Sequence, residues 1–295
     1  MKTLFCLLVI SGAAFGAASA PATHSNVSAA TTTVPSSTHV FLLVEENHSY
    51  SSVIGSSSMP YLNSLASKYG LATQYYANTH PSIGNYFMLT TGAIITNNDS
   101  SCSTITNDNL VRHLLTAGKS WKSYAESLPA VGYTGCGSGA YVKRHNPFAY
   151  FSDVANSSEK NNLVPFTQFS KDRINGVLPQ FSFIVPNLND DAHNGTLTQA
   201  DNWLKTNIAP LLATPMFKTG GTGILIIVFD ESVDSDTAHG GGHIAAVVIG
   251  PKVKPGSRTA TLYQHQNTLK TLMEALGVKT YPGAAASAAP ITGVF

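Results

Sequence analysis

The stretch His39-Val40-Phe41-Leu42-Leu43-Val44, followed at once by Glu45-Glu46-Asn47-His48, decides how this chain folds. A strand with one wet face alternates apolar and polar residues. This run does not alternate, so it reads as a strand buried on both faces. Phe181-Ser182-Phe183-Ile184-Val185, Ile224-Leu225-Ile226-Ile227-Val228-Phe229 and Ile244-Ala245-Ala246-Val247-Val248-Ile249 have the same character. Between these runs, apolar residues recur at three- and four-residue spacing over residues 59–69, 109–117, 198–212 and 266–276, the pattern of amphipathic helices. Strands alternating with helices predict a three-layer α/β/α sandwich around a mainly parallel sheet.

In such a sheet, ligands bind beyond the carboxyl ends of the strands, where loops from distant parts of the chain meet. The polar clusters lie there. The first run ends in Glu45-Glu46-Asn47-His48, the second in Pro186-Asn187-Leu188-Asn189-Asp190-Asp191-Ala192-His193, and the third in Asp230-Glu231. Solvated loop ends explain any one cluster, but explain three together poorly. Carboxylate, amide and imidazole groups converging in this way can build one or two divalent-cation positions. Glycine-rich phosphate loops, dinucleotide fingerprints and Cys-x-x-Cys pairs are absent from the sequence.

The 295 residues carry a formal charge of +1, too weak a field to gather nucleic acid from a distance, so partner choice rests on a local site. The basic start and short apolar run of residues 1–20 read as a secretory signal, and the Ala, Thr and Ser-rich residues 21–37 as a flexible lead. A single domain is expected over residues 38–295, with no membrane-length apolar segment in the mature chain and a secreted or periplasmic location. Cys6 falls in the signal. Cys102 and Cys136 remain, and an oxidising compartment favours a disulfide between them over two free buried thiols.

A nucleophile is supplied by Thr79-His80-Pro81-Ser82-Ile83-Gly84-Asn85-Tyr86, which reads as a turn leading into a helix with Ser82 at the entry. By itself, a serine there is more often a helix cap. The wider pattern changes the balance. His-Pro-Ser-x-x-Asn-Tyr, Glu46-Asn47 before it, Tyr141-x-x-x-His145-Asn146-Pro147, Pro186-Asn187 leading to Asp191-x-His193, Asp230-Glu231, and His243 before a strand ending Gly250-Pro251 occur in consistent order from about His39 to Gly277. Together they resemble the phosphoesterase family of acid phosphatases and non-haemolytic phospholipases C, within the alkaline phosphatase-like superfamily.

The resemblance implies a metal held by Glu46, Asn47, Asp230, Glu231 and the Ser82 oxygen, with Asp191 as a further ligand. It implies attack by Ser82 through a phosphoseryl intermediate. His193 and His243 are implied as catalytic groups or second-metal ligands, and Asn85 and His145 as substrate contacts. One or two divalent ions (Ca, Mg, Zn, Fe or Mn) are expected as cofactors. Many superfamily members place Asp-His where this chain has Asp230-Glu231, a change toward harder cations. His80, His239 and His265 rank lower, and Gly240-Gly241-Gly242 beside His239 could close over the site or form a plain turn.

The expected activity is therefore an exported, metal-dependent acid phosphatase acting on phosphomonoesters. Two alternatives stand beside it: a phospholipase C-type phosphodiesterase, and an inactive exported binding protein of the same fold. The sequence lacks a strongly amphipathic basic helix for docking on a membrane, which favours the monoesterase.

Overall fold

The computed structural model describes residues 1–4 and 33–295. Residues 5–20 of the expected signal peptide, Cys6 among them, and most of the expected lead lie outside the described residues. The strands are β1 (Val40–Glu45), β2 (Gly70–Ala72), β3 (Trp121–Ala125), β4 (Gly137–Ser138), β5 (Tyr141–Val142), β6 (Leu163–Pro165), β7 (Phe181–Val185), β8 (Ile224–Phe229), β9 (Ala246–Ile249) and β10 (Arg258–Thr259). The α-helices are α1 (Tyr50–Val53), α2 (Pro60–Lys68), α3 (Ser82–Thr91), α4 (Leu110–Thr116), α5 (Ser152–Ala155), α6 (Thr167–Ile174), α7 (Leu197–Leu212) and α8 (His265–Ala275).

Eight strands form one sheet in the order β10-β2-β9-β8-β1-β7-β3-β6. The central strand β1 pairs in parallel with β7 on one side and β8 on the other, with Val40 opposite both Phe181 and Ile224. All four long apolar runs are strands of this sheet. The last differs in direction: β9 runs antiparallel to β8 and β2. Consequently, the start of β9 rather than its end reaches the edge where β1 and β8 finish.

Val40 to Val44 are fully buried, as are Leu225, Ile226 and Val228 of β8, so both faces of the sheet are covered. Consecutive residues leave opposite faces of a strand. Thus Glu45 goes toward the α7 side, where burial and then the nearby Asp191 and Asp201 carboxylates raise its pKa, and Glu46 toward α3, where it meets Ser82 and Tyr86. Helices α2 and α7 are joined by Asp201, whose carboxylate accepts the amides of Tyr61 and Leu62 at 2.8 Å. This supplies the cap that α2, beginning at Met59-Pro60, cannot make for itself. Ahead of β1, the Ser37 amide donates to the Ala275 carbonyl at 2.8 Å, and Val34 packs against the core.

A disulfide joins Cys102 to Cys136, with Cα atoms 5.4 Å apart. It ties the segment after α3 to the β4–β5 hairpin. Among the described residues, no helix is long and apolar enough to cross a membrane.

Candidate active site

Helix α3 starts at Ser82, and its first turn explains why this serine is not a cap. The N-cap is Pro81, without a side-chain cap bond, and the free Ile83 amide of the first turn is instead taken by Asp99 Oδ1 at 3.1 Å. The Ser82 hydroxyl is thereby released. It is 1% exposed and lies within donating distance of two carboxylates, Glu46 Oε2 at 3.1 Å and Glu231 Oε1 at 3.0 Å. These acids arrive from neighbouring parallel strands, just beyond β1 and β8.

The same edge gathers the other strand-end groups. The Asn47 amide donates to Asp230 Oδ1 at 3.2 Å, with Asn47 in the left-handed region at φ 41°, a conformation asparagine tolerates better than most residues. Asp191 accepts the Glu46 amide at its carbonyl and the His193 amide at Oδ1, both at 2.8 Å. His145 stands between Glu46 Oε1 and Asp191 Oδ2, each 3.3 Å from a ring nitrogen, although neither contact has hydrogen-bond geometry. Donor atoms of Glu46, His145 and His193 lie within 4.8 Å of one another, which makes them a possible metal site.

This assembly is electrostatically costly by itself. Burial, reinforced by neighbouring carboxylates, lifts Glu46 and Asp230 well above the usual carboxylate range. Burial also pushes Asp191 up to about 7 and Glu231 to about 8. Burial drives His145 well below an ordinary imidazole. In addition, Asn47 Oδ1, Asp191 Oδ2, Asp230 Oδ2 and both His145 nitrogens are buried without a hydrogen-bond partner. Buried polar atoms are normally satisfied, and so many unpaired acceptors and imidazole nitrogens gathered in one place form a donor set suited to a bound group. Acceptor oxygens and neutral imidazoles are what a divalent cation requires, so the residues present fit the expected metal.

Among the expected site residues, Ser82, Glu46, Asn47, Asp230, Glu231, Asp191, His145 and His193 share this edge. Two further expected residues make other contacts. Asn85 Oδ1 accepts the amides of Asn78 and Thr79 at 2.9 and 3.2 Å and its Nδ2 donates to the Thr79 carbonyl at 2.8 Å, so it braces the turn before Ser82. The other is His243. Its ring lies between Tyr50 and Tyr76, at 4.3 and 4.8 Å, and its Nε2 meets the Thr73 carbonyl at 3.1 Å. The antiparallel direction of β9 brings its backbone to the edge but leaves the ring in this stack.

Other groups gain their place at the site in three dimensions. His80 Nδ1 contacts Glu231 Oε2 at 2.6 Å while its Nε2 meets the Asp236 carbonyl at 2.9 Å. The Tyr86 hydroxyl donates to Glu46 Oε1. Tyr86 sits one helical turn beyond Ser82, and that i, i+4 spacing was a readable signal. His265 Nε2 donates to the Asp230 carbonyl at 2.6 Å, and its burial lowers it to about 4. Arg144 approaches Asp99 and His193. The glycine run is a tight seam rather than a lid: a Cβ at Gly240 would lie 2.1 Å from the Asn78 carbonyl oxygen, and one at Gly241 2.3 Å from that of Thr79.

The model of the Phosphoesterase family matches residues 56–279. A Mycobacterium tuberculosis protein named phosphatidylinositol-3-phosphatase is 35% identical over 272 residues, covering 91% of this chain and 86% of its own. A probable acid phosphatase of Kluyveromyces lactis is 30% identical, covering 79% of this chain, and an acid phosphatase of Aspergillus fumigatus 31% identical, covering 77%. The chain spans only 56% and 52% of those two fungal proteins. In fold, it is similar to the lipoteichoic acid synthase LtaP of Listeria monocytogenes (TM-score 0.63, 11% identity, 88% of this chain and 76% of that one). It is also similar to an alkaline phosphatase superfamily protein of Vibrio parahaemolyticus (TM-score 0.58, 14% identity, 86% and 71%). The chain belongs to the phosphoesterase family, a phosphoester hydrolase built on the fold of the alkaline phosphatase superfamily.

Proposed function

We propose that this chain is an exported, cation-dependent acid phosphatase that cleaves phosphomonoesters through a phosphoserine at Ser82. The observation that carries the reading is the buried Ser82 hydroxyl directed at both Glu46 and Glu231, beside orphaned oxygens of Asn47 and Asp230. Glu46, Asn47, Asp230, Glu231 and the Ser82 oxygen would hold one divalent cation. A second would take Glu46, His145 and His193, with Asp191 orienting the His145 ring from behind. Bound there, such cations favour the serine alkoxide and draw charge from the phosphoryl oxygens.

The chain's own groups perform the rest. Ser82 gives its proton to a carboxylate within 3.1 Å and its Oγ bonds to phosphorus as the ester P–O bond breaks. The departing alkoxide takes a proton from water at the open, His193 side. In the second half, water attacks phosphorus on the face opposite Ser82, the P–Oγ bond breaks, and Ser82 recovers a proton as phosphate leaves. Export is supported by the Cys102–Cys136 disulfide, a bond of oxidising compartments. The monoester preference is supported by the names of the relatives, phosphatases in each case.

The test is Ser82→Ala assayed on p-nitrophenyl phosphate with and without chelator, alongside bis-p-nitrophenyl phosphate and phosphatidylcholine. Abolished turnover in a protein with unchanged circular dichroism is expected. Undiminished turnover would remove Ser82 as nucleophile, and dominant phosphatidylcholine cleavage would favour the phospholipase C-type diesterase.

A further inference from the structure

We propose that Arg144 holds the non-bridging oxygens of the substrate's phosphoryl group, and that Asp99 positions it against Ser82. The inference rests on the phosphomonoesterase reading above and names the chain's own anion-binding group within it.

The need for such a group follows from charge. A phosphomonoester dianion must enter a site already holding Glu46, Asp191, Asp230 and Glu231. Arg144 is a fixed cation beside the site, next in the chain to His145 and in contact with His193. Its neighbour Lys143 cannot share the task, because its ammonium donates to the Cys102 carbonyl at 2.8 Å and lies over the Tyr150 ring.

The guanidinium also has capacity to spare. Its Nη2 meets His193 Nε2 at 3.3 Å and its Nε lies 3.4 Å from Asp99 Oδ2, yet Nε makes no hydrogen bond although buried. The Arg144 side chain as a whole is 20% exposed. Arginine carries five N–H donors in a planar fork that suits two oxygens of one phosphoryl group.

Asp99 makes the placement purposeful. One of its oxygens faces Arg144, and the other accepts the amide of Ile83, the residue next to Ser82. One carboxylate thus fixes both the nucleophile's helical turn and the guanidinium. The disulfide holds the two loops together, since Cys102 follows Asp99 closely and the Lys143 amide donates to the Cys136 carbonyl at 3.0 Å.

The test uses the full chain with activating cation supplied, and reads KM for p-nitrophenyl phosphate and the inhibition constant of inorganic phosphate. A charged hydrogen bond of ordinary strength predicts that Arg144→Ala raises both by about 10- to 100-fold, with added guanidinium restoring part of the loss. Arg144→Lys, which keeps charge but not the fork, should raise both several-fold, and it serves if the alanine variant fails to fold. Asp99→Asn should raise KM more than it lowers kcat. The proposal is overturned if folded Arg144 variants bind phosphate as the parent does, or if guanidinium restores nothing. A parent protein inactive on every phosphomonoester would sink the functional reading instead, and phosphate binding by calorimetry would still judge Arg144.

Discussion

The imidazole of His145 lies flat against the phenol of Tyr86, with ring centroids 5.1 Å apart and planes 8° from parallel. The same phenol donates to Glu46 Oε1, the oxygen that His145 Nε2 approaches at 3.3 Å. One side chain therefore orients both a carboxylate and an imidazole of the candidate metal site. Tyr86→Phe preserves the stack and removes only the donor. A supporting contact of this kind is worth about 10- to 100-fold in metal affinity, and that is the expected loss when activity is titrated with cation. Unchanged titration would reduce Tyr86 to a packing residue.

The raised carboxylates make stability depend on pH and cation together. A group whose folded pKa is lifted contributes stability below its unfolded pKa and loses it as pH rises through the folded value. For Asp191, lifted from 3.8 to about 7, and Glu231, lifted from 4.5 to about 8, the loss runs from about pH 4 to pH 8. Chelator-treated protein should therefore gain more thermal stability from added divalent cation at pH 8 than at pH 5. His265, lowered to about 4, titrates the opposite way but cancels in the difference between loaded and cation-free samples. An equal gain at both pH values, measured by scanning calorimetry, would contradict this account.

His265 offers a direct structural test. It is fully buried, with Nε2 on the Asp230 carbonyl and Nδ1 3.2 Å from the Tyr75 hydroxyl. His265→Phe would leave the Asp230 carbonyl without that donor, at an expected cost of about 1–3 kcal/mol in urea unfolding. Turnover should fall too, because the carbonyl belongs to a site acid. A variant of full stability would show that the Asp230 carbonyl does not depend on that donor.

The disulfide closes a loop of 34 residues. The chain-entropy relation places its contribution at about 4 kcal/mol, so Cys102→Ala with Cys136→Ala should lower unfolding stability by about that amount. Guanidinium denaturation measures it, and a loss near zero would mean that the hairpin is fixed by other contacts.

The sequence disclosed the long buried strands, because Val40 to Val44 and Ile224 to Phe229 are continuous apolar runs. It did not disclose β2 or β6, each three residues long, nor β3, where Lys122 and Ser123 interrupt the apolar pattern. Nor does composition encode strand direction, so the antiparallel setting of β9 and its consequence for His243 stayed hidden. In the site, the acids at strand ends and Ser82 were legible, since topology alone gathers them. The contacts of His80 with Glu231 and Arg144 with Asp99 join residues 151 and 45 positions apart, and they follow from loop packing that no local pattern carries.

The glycine seam leads to a different kind of expectation. Gly241 links two loops, its amide donating to the Ala77 carbonyl and its carbonyl accepting the Ser232 amide, while Thr79 leaves no room for a methyl group. Any side chain there acts as a wedge between the loop carrying Glu231 and the turn carrying Ser82. In a library of random variants, this position, bearing no chemical group at all, should tolerate replacement as poorly as the nucleophile itself.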